Sequence, residues 1–482
     1  MKAARSAITD TGAIIALGGP GLAAEVGAVL AARGLAAQPM GDDASALAGQ
    51  VARGAVVGWA ADEPIGAAAA AALASGCEAG ARAGRPVVVL APPVRGGRSA
   101  IERAAALAYL LAAGAIVVDD PDVWLEALVL VAAIGVPAGP RAAVIAPPGS
   151  WIDRAARALG AEAEARGGRG PAITDAAADL DPTDAALVDR AIDLPAQPRS
   201  RALIVPVVAR AELLRDATEP ALIGVRAALA AVIACGRASE RAAAGLGPAP
   251  ASARDSLEID DARAQRQLDK VSLDDARVGD HEAKVLLAAY GVPITRQAVA
   301  TTPSAAIRIA KKAGYPVELK PWGADVATER AGCPVEKNIT TAAEVRRAFL
   351  AVLGAAGMPV AESEGAAVIV REAPPSGREV TATFESVGAL GWTCVVEVAG
   401  APPIAAPAPL RVADAERLAA AVASTRAGEA EPDRTGLANV LRRASHLAAD
   451  HAERIAKLEL GRIVIGARGA RTLVVDASID LR

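Results

Sequence analysis

Six residues near the amino-terminal end have the spacing of a phosphate-cradling turn. Gly19-Pro20-Gly21-Leu22-Ala23-Ala24 follows an apolar run, Ala13–Leu17, and fits G-x-G-x-x-A. Asp42 and Asp43 stand about twenty residues on, where a dinucleotide site places an acid against the ribose. Two readings stay open: a nucleotide or anion turn at Gly19, Gly21 and Ala24, or the short glycine turn of any strand-to-helix unit. Asp119-Asp120-Pro121-Asp122 reads as a helix N-terminal cap rather than a metal site. Ser99, Ser150 and Ser376 lack a G-x-S-x-G elbow. Cys77, Cys235, Cys333 and Cys394 lie far apart without a C-x-x-C pair, which excludes a disulfide framework or a zinc site. Three histidines, His281, His446 and His451, make a histidine-rich metal centre implausible. Trp322 and Trp392 read as packing residues.

Alternating strands and helices must carry any such site. Val56–Trp59, Val87–Leu90 and Ala115–Val118 are short buried strands, separated by helical stretches 66–83 and 100–113. Gly135-Val136-Pro137-Ala138-Gly139-Pro140 punctuates, and the pattern restarts with strand Ala142–Ala146, helix Trp151–Leu159 and strand Ala202–Val208. Continuous apolar strands alternating with helices imply parallel sheets covered on both faces. The reading is two doubly wound units, 1–138 and 139–243, then a linker over 244–270. Beyond it lies an α+β block, 271–482, with strands at Ala366–Arg371, Glu379–Phe384, Thr393–Val398, Arg462–Ile465 and Thr472–Asp476. Six of the eight lysines fall between 284 and 457.

At 482 residues the chain has room for about three domains. Lys and Arg total 51 against 55 Asp and Glu, which gives no electrostatic case for nucleic acid or an anionic membrane. Apolar residues reach 53 % with only 2 % aromatics, so the cores are built from Ala, Val, Leu and Ile. The apolar runs near 104–118 and 125–136 are too short to span a bilayer. No signal-peptide core follows the first residues, so a cytoplasmic location is expected.

From His281 onward the sequence carries a family resemblance. His281–Thr295, then Gly314-Tyr315-Pro316-Val317-Glu318-Leu319-Lys320, then Ile455–Leu460 and Val474-Val475-Asp476-Ala477 resemble the ATP-grasp domain of ADP-forming acyl-CoA synthetases. The resemblance implies ATP and Mg²⁺ as cofactors. It carries Lys320 to the phosphate-binding lysine, Asp325 to an aspartate just beyond, Arg371 and Glu372 to the hinge strand, Glu379 to a nucleotide-contacting acid, and Glu459 to a metal ligand. Departures accompany these matches. A His-Lys-Ser turn running into Gly-Gly is replaced by Thr328, Glu329, Arg330, Cys333 and Pro334. The glycine-rich phosphate loop is shortened to Glu397-Val398-Ala399-Gly400-Ala401-Pro402-Pro403. An Asp-x-Asn-Pro strand becomes Glu459-Leu460-Gly461-Arg462.

Gly84–Leu90, Gly97-Arg98-Ser99 and Ala113–Asp122 are similar to the flavodoxin-like CoA-ligase domain of the same family, and 139–243 to a second, shortened one. The family's phosphate-carrying histidine falls in the interval Ala100–Ala112, which holds no histidine. No catalytic residue is therefore assigned. The resemblance also implies a CoA-binding domain, for which there is no room ahead of residue 8, leaving a separate chain as its place. Three functions follow as expectations. One is a catalytically degenerate paralogue, a regulatory or assembly subunit in a homo- or hetero-oligomer with a synthetase or CoA-binding chain. The second is a divergent ATP-dependent acid–CoA ligase working with such a partner, and the third a nucleotide- or CoA-binding sensor.

Overall fold

Valine-, isoleucine- and alanine-rich runs of three to five residues, each closed by glycine or a polar turn, form the strands of the first half. The computed structural model describes residues 14–19, 23–92, 98–165, 171–174, 185–189, 201–205, 221–270, 276–323, 332–358, 366–425 and 431–482. The chain divides into two units, Met1–Gly247 and Pro248–Arg482.

Among the described residues the first unit holds two parallel five-stranded sheets. β1 (Ile14–Gly18), β2 (Ala36–Gly41), β3 (Val56–Ala60), β4 (Val88–Leu90) and β5 (Ile116–Val118) lie in the order 2-1-3-4-5. The second sheet contains β6 (Ala142–Ile145), β7 (Ala172–Thr174), β8 (Ala185–Asp189), β9 (Arg201–Val205) and β10 (Ala221–Ile223). Counted from its own first strand, it has the same order. Described helices are α1 (Ala23–Ala32), α2 (Leu47–Ala52), α3 (Ala67–Arg82), α4 (Arg98–Ala112), α5 (Pro121–Ile134), α6 (Trp151–Ala165) and α7 (Val225–Ala244).

Helix α5 joins the sheets. Asp120 caps it by accepting from the backbone N–H groups of Asp122 and Val123, and Pro121 opens it. Its middle is apolar nearly all round, with Trp124, Ala127, Leu128, Val129, Leu130 and Val131 buried, as a helix packed on two sides requires. One core runs from Ile15, Leu17 and Val88 of the first sheet through α5 to Val144 and Leu222 of the second. Halves 1–138 and 139–243 thus each carry a sheet, and the sheets share that core.

The second unit begins within the segment read as a linker. There α8 (Asp261–Leu268) is capped by Asp260 and buries Ala264 and Leu268. After it come α9 (Asp280–Ala289), α10 (Pro303–Ala313), α11 (Ala342–Ala355), α12 (Val412–Ser424) and α13 (Arg434–Asp450). The sheets are antiparallel. One contains β12 (Gln297–Ala300), β13 (Val317–Trp322), β14 (Glu336–Ile339) and β15 (Ala367–Glu372) in the order 12-15-13-14. The other contains β11 (Arg277–Val278), β16 (Arg378–Ser386), β17 (Trp392–Glu397), β18 (Ile404–Pro407), β19 (Ile455–Ile465) and β20 (Leu473–Leu481) in the order 11-20-19-16-17-18. Period-two alternation sends Val317, Leu319, Val368 and Val370 into a core with α10 and α11. Their neighbours Glu318, Lys320 and Arg371 therefore face the opposite way, towards β20 and α9.

Candidate functional site

That opposite face is a buried layer of charge. β13 supplies Glu318 and Lys320, β15 Arg371, β20 Asp476, and the first turns of α9 Asp280 and Lys284. Lys320 is only 1 % exposed; its Nζ donates to Asp476 Oδ1 at 2.6 Å and lies 3.7 Å from Asp280 Oδ2. Lys284 donates to the Val475 carbonyl at 2.7 Å and to Thr295 Oγ1 at 3.2 Å, and pairs with Asp280 at 3.2 Å. Asp280 Oδ1 accepts the Ala477 N–H at 2.9 Å. Arg371 donates Nε and Nη2 to Glu318 Oε2 at 3.0 and 2.7 Å, and Nη1 to the Val475 carbonyl at 2.8 Å. At the edge, Arg462 of β19 donates to Glu379 of β16 and lies 3.6 Å from Glu318.

Four cations, Lys284, Lys320, Arg371 and Arg462, thus face four anions, Asp280, Glu318, Glu379 and Asp476. Buried charges persist only when paired and hydrogen-bonded in this way. Burial opposes the charge on Lys320, but Asp280 and Asp476 outweigh it and its pKa is raised. Burial likewise opposes Asp280, and Lys284, Lys320 and Arg371 outweigh it to lower its pKa. Lys284 goes the other way. Burial, helped by the charges of Arg371 and Lys320, lowers it to about 8 against the pull of Asp280.

That depression carries a sign. Between about pH 8 and 10.5 the folded state has released the Lys284 proton while the unfolded chain keeps it. The contribution of Lys284 to stability therefore rises with pH across that window, by up to about 1.4 kcal/mol per pH unit. Below it, the cost of burying the ammonium is fully present. Urea unfolding of wild type and Lys284→Met at pH values inside and below the window checks this. The wild type is expected to gain on the variant as pH rises; a constant difference would show that Lys284 does not titrate there.

Residues 271–481 match the ATP-grasp domain family. The chain is similar to ADP-forming acyl-CoA ligases. It is 23 % identical over 237 residues to the 4-hydroxybutyrate–CoA ligase (ADP-forming) of Nitrosopumilus maritimus, covering 47 % of this chain and 34 % of that one. It is 28 % identical over 119 residues to subunit beta of acetate–CoA ligase (ADP-forming) I of Pyrococcus furiosus, covering 25 % of this chain and 51 % of that one. With subunit beta of acetate–CoA ligase (ADP-forming) II of the same organism it shares 23 % over 214 residues, 42 % of this chain and 91 % of that one. The first two matches thus span about a third and about half of those relatives' lengths. Among solved structures, Candidatus Korarchaeum cryptofilum ACD1 in complex with coenzyme A shows 24 % identity and a TM-score of 0.40, covering 45 % of this chain and all of that one.

The ATP-grasp residues read from the sequence fall in three places. Lys320 and Arg371 lie inside the charged layer. Glu372 and Glu459 have local partners: Glu372 accepts from the backbone N and Nε of Arg296, and Glu459 pairs with Lys457 at 3.1 Å. Glu379 sits at the edge, against Arg462. Asp325, with 328–330, lies outside the described residues. Asp280, Lys284, Glu318 and Asp476 escaped the sequence reading. The signals for them were present: Asp280 and Lys284 are four apart on one helix, and Val-Glu-Leu-Lys alternates two charges onto one face.

A magnesium nucleotide needs a lysine aimed at phosphate and acids free to hold the metal. Here Lys320 is enclosed and matched, the layer carries no surplus positive charge, and Arg462 lies against Glu379. Among the described residues no group of three or more His, Cys, Asp or Glu is placed to hold a metal. As arranged, these residues do not fit a magnesium nucleotide.

In the first unit Gly19 has φ +97, and a Cβ there would stand 1.9 Å from the Ala60 carbonyl oxygen. That close approach accounts for this glycine without a ligand. Asp43 is engaged locally, accepting from Ser45 N and Oγ, which lowers its pKa. Gly21 lies outside the described residues, and α1 begins just before Ala24. Gly19→Ala is expected to cost about 1–3 kcal/mol of unfolding free energy from overlap and the left-handed backbone. An unchanged denaturation midpoint would refute the close-approach reading. A cavity of about 470 Å³ in this unit is lined by Arg33, Glu126, Trp151, Leu159, Ile223 and Arg226. Its arginines are both matched, Arg33 to Glu126 and Arg226 to Glu162. Among the described residues no helix is long and apolar enough to cross a membrane.

Proposed function

We propose that this chain is a non-catalytic regulatory or assembly subunit of an ADP-forming acyl-CoA synthetase system, with an ATP-grasp domain that does not turn over ATP. The observation that carries the reading is the position of Lys320. Its ammonium is spent on Asp476 and Asp280 rather than offered to a phosphate. A phosphoryl-transfer site works by positioning and by concentrated positive charge, and a layer with matched charges supplies neither.

The first unit supports the same reading. Each sheet has the strand order 2-1-3-4-5 of flavodoxin-like folds, consistent with two CoA-ligase-like domains. No histidine occurs before His281, so this part holds no imidazole to carry phosphate from a nucleotide to an acid. Two relatives are beta subunits by name, which favours a partner chain that supplies CoA binding and the missing histidine.

Titration calorimetry with Mg-ATP, on wild type and Lys320→Ala, tests the proposal. No binding up to millimolar nucleotide is the expected result for both proteins. Micromolar binding by the wild type that Lys320→Ala abolishes would overturn it. The chain would then be a divergent ligase, and acid substrates should be sought with a CoA-binding partner present.

A further inference from the structure

At the mouth of the charged layer two carboxylates from different sheets meet one guanidinium. Glu379 comes from β16 of the six-stranded sheet, and Glu318 from β13 of the four-stranded sheet. Arg462 of β19 donates Nε and Nη2 to Glu379 Oε1 at 2.9 and 2.7 Å. Its Nη1 lies 3.6 Å from Glu318 Oε2. A single side chain therefore ties the two sheets through their acids.

The strand geometry places it there. Glu379 pairs with Val464 across the ladder, so Arg462 is its diagonal neighbour two residues along. The ladder between β19 and β20 is irregular from Glu459 to Arg462, and such bulges re-aim a side chain. The Arg462 side chain is 15 % exposed and that of Glu318 5 %, so the Arg462–Glu318 side of the bridge is shielded from water, while Glu379 is 56 % exposed and opens the other side to solvent. Glu318 is also held by Arg371, which fixes its orientation towards Arg462.

Bridging carboxylates of separate elements is the work of a hard divalent cation, which takes its ligands from such oxygens. A guanidinium does it with one fixed charge and a planar fork of donors. We propose that Arg462 is the resident cation of this cleft, taking the place a divalent metal would hold between Glu379 and Glu318. The proposal rests on the reading that the ATP-grasp domain takes no magnesium nucleotide. It adds the reason: the bridge is built into the chain. Removing the guanidinium while keeping a neutral, shorter polar side chain leaves one unmatched negative charge in the layer and a cation site with two carboxylates.

The test compares wild type, Arg462→Gln and the double variant Arg462→Gln with Glu379→Gln. Mn²⁺ binding is followed by the paramagnetic resonance of the free ion, and thermal unfolding is measured with and without millimolar Mg²⁺. Arg462→Gln is expected to unfold at lower temperature, to recover part of that loss in Mg²⁺, and to bind Mn²⁺ about tenfold or more tightly than wild type. The double variant is expected to lose the gain. An Arg462→Gln protein that folds but binds Mn²⁺ no better than wild type would overturn the proposal, as would equal binding by the double variant. Should Arg462→Gln not fold alone, its refolding yield is compared in Mg²⁺ and in sodium chloride of equal ionic strength. A higher yield in Mg²⁺ upholds the proposal, and equal yields overturn it. Failure here is separable from failure of the proposed function, which is decided by ATP binding to the wild type.

Discussion

Replacing Asp476 by alanine is expected to destabilise the second unit by about 3–5 kcal/mol, the usual cost of removing one partner from a buried ion pair. Asp476 is fully enclosed and holds Lys320 at 2.6 Å. Without it, Lys320 has only Asp280, 3.7 Å away, and Asp280 already serves Lys284 at 3.2 Å. Two ammonium groups would then share one carboxylate in a medium that screens them poorly. Replacing Lys320 as well, by methionine, is expected to recover much of the loss, because the uncompensated charge disappears with it. Guanidinium unfolding of the two single variants and the double variant gives the coupling. An Asp476→Ala loss below about 1 kcal/mol would show that the layer is wetter than its burial implies.

The second large effect is expected in the first unit. Arg33 of α1 donates to both oxygens of Glu126 of α5 at 3.0 and 2.8 Å, and both side chains are buried. Glu126 also accepts the Ile223 N–H at 2.9 Å, at the end of β10 in the other sheet. Arg33→Met strands this carboxylate, at an expected cost of about 3–5 kcal/mol near neutral pH. Burial already raises the Glu126 pKa above its ordinary value, against the pull of Arg33. Without Arg33 it rises further, so the folded variant takes up a proton that the unfolded chain releases. The sign follows: the deficit of Arg33→Met shrinks as pH falls towards the ordinary carboxylate range and is largest above the raised pKa. Urea midpoints at mildly acid and neutral pH would reveal it, and a pH-independent deficit would argue against a stranded Glu126.

Much of this architecture was legible in the sequence. Strand Ala142–Ala146 is found as Ala142–Ile145, and Ala366–Arg371 as Ala367–Glu372, because short β-branched runs between glycine or proline turns permit little else. The acidic run at 119–122 caps a helix, as its Pro121 suggests. One strand was cut short: Ile455–Ile465 is continuous through Gly461, which reads as a break in sequence but sits in a bulged ladder. The site was legible in part. Lys320 could be named, but not that its partner Asp476 lies 156 positions away. Such pairings are set by which faces of two sheets meet, and local pattern carries no record of that. Arg462 stood out as a positive charge where the family resemblance implies the metal, and the structure supplies the two carboxylates it joins.

Helix α5 has a consequence for how this protein can be inherited. A module that moves freely between genes must bury its own apolar surface. The amino-terminal sheet cannot, because the helix that completes its core also completes the core of the sheet after it. A recombination joint at the glycine–proline break after residue 134 would leave each product with an unsatisfied oily face, prone to aggregation. The two sheet-bearing halves must therefore travel and diverge together, as one heritable block.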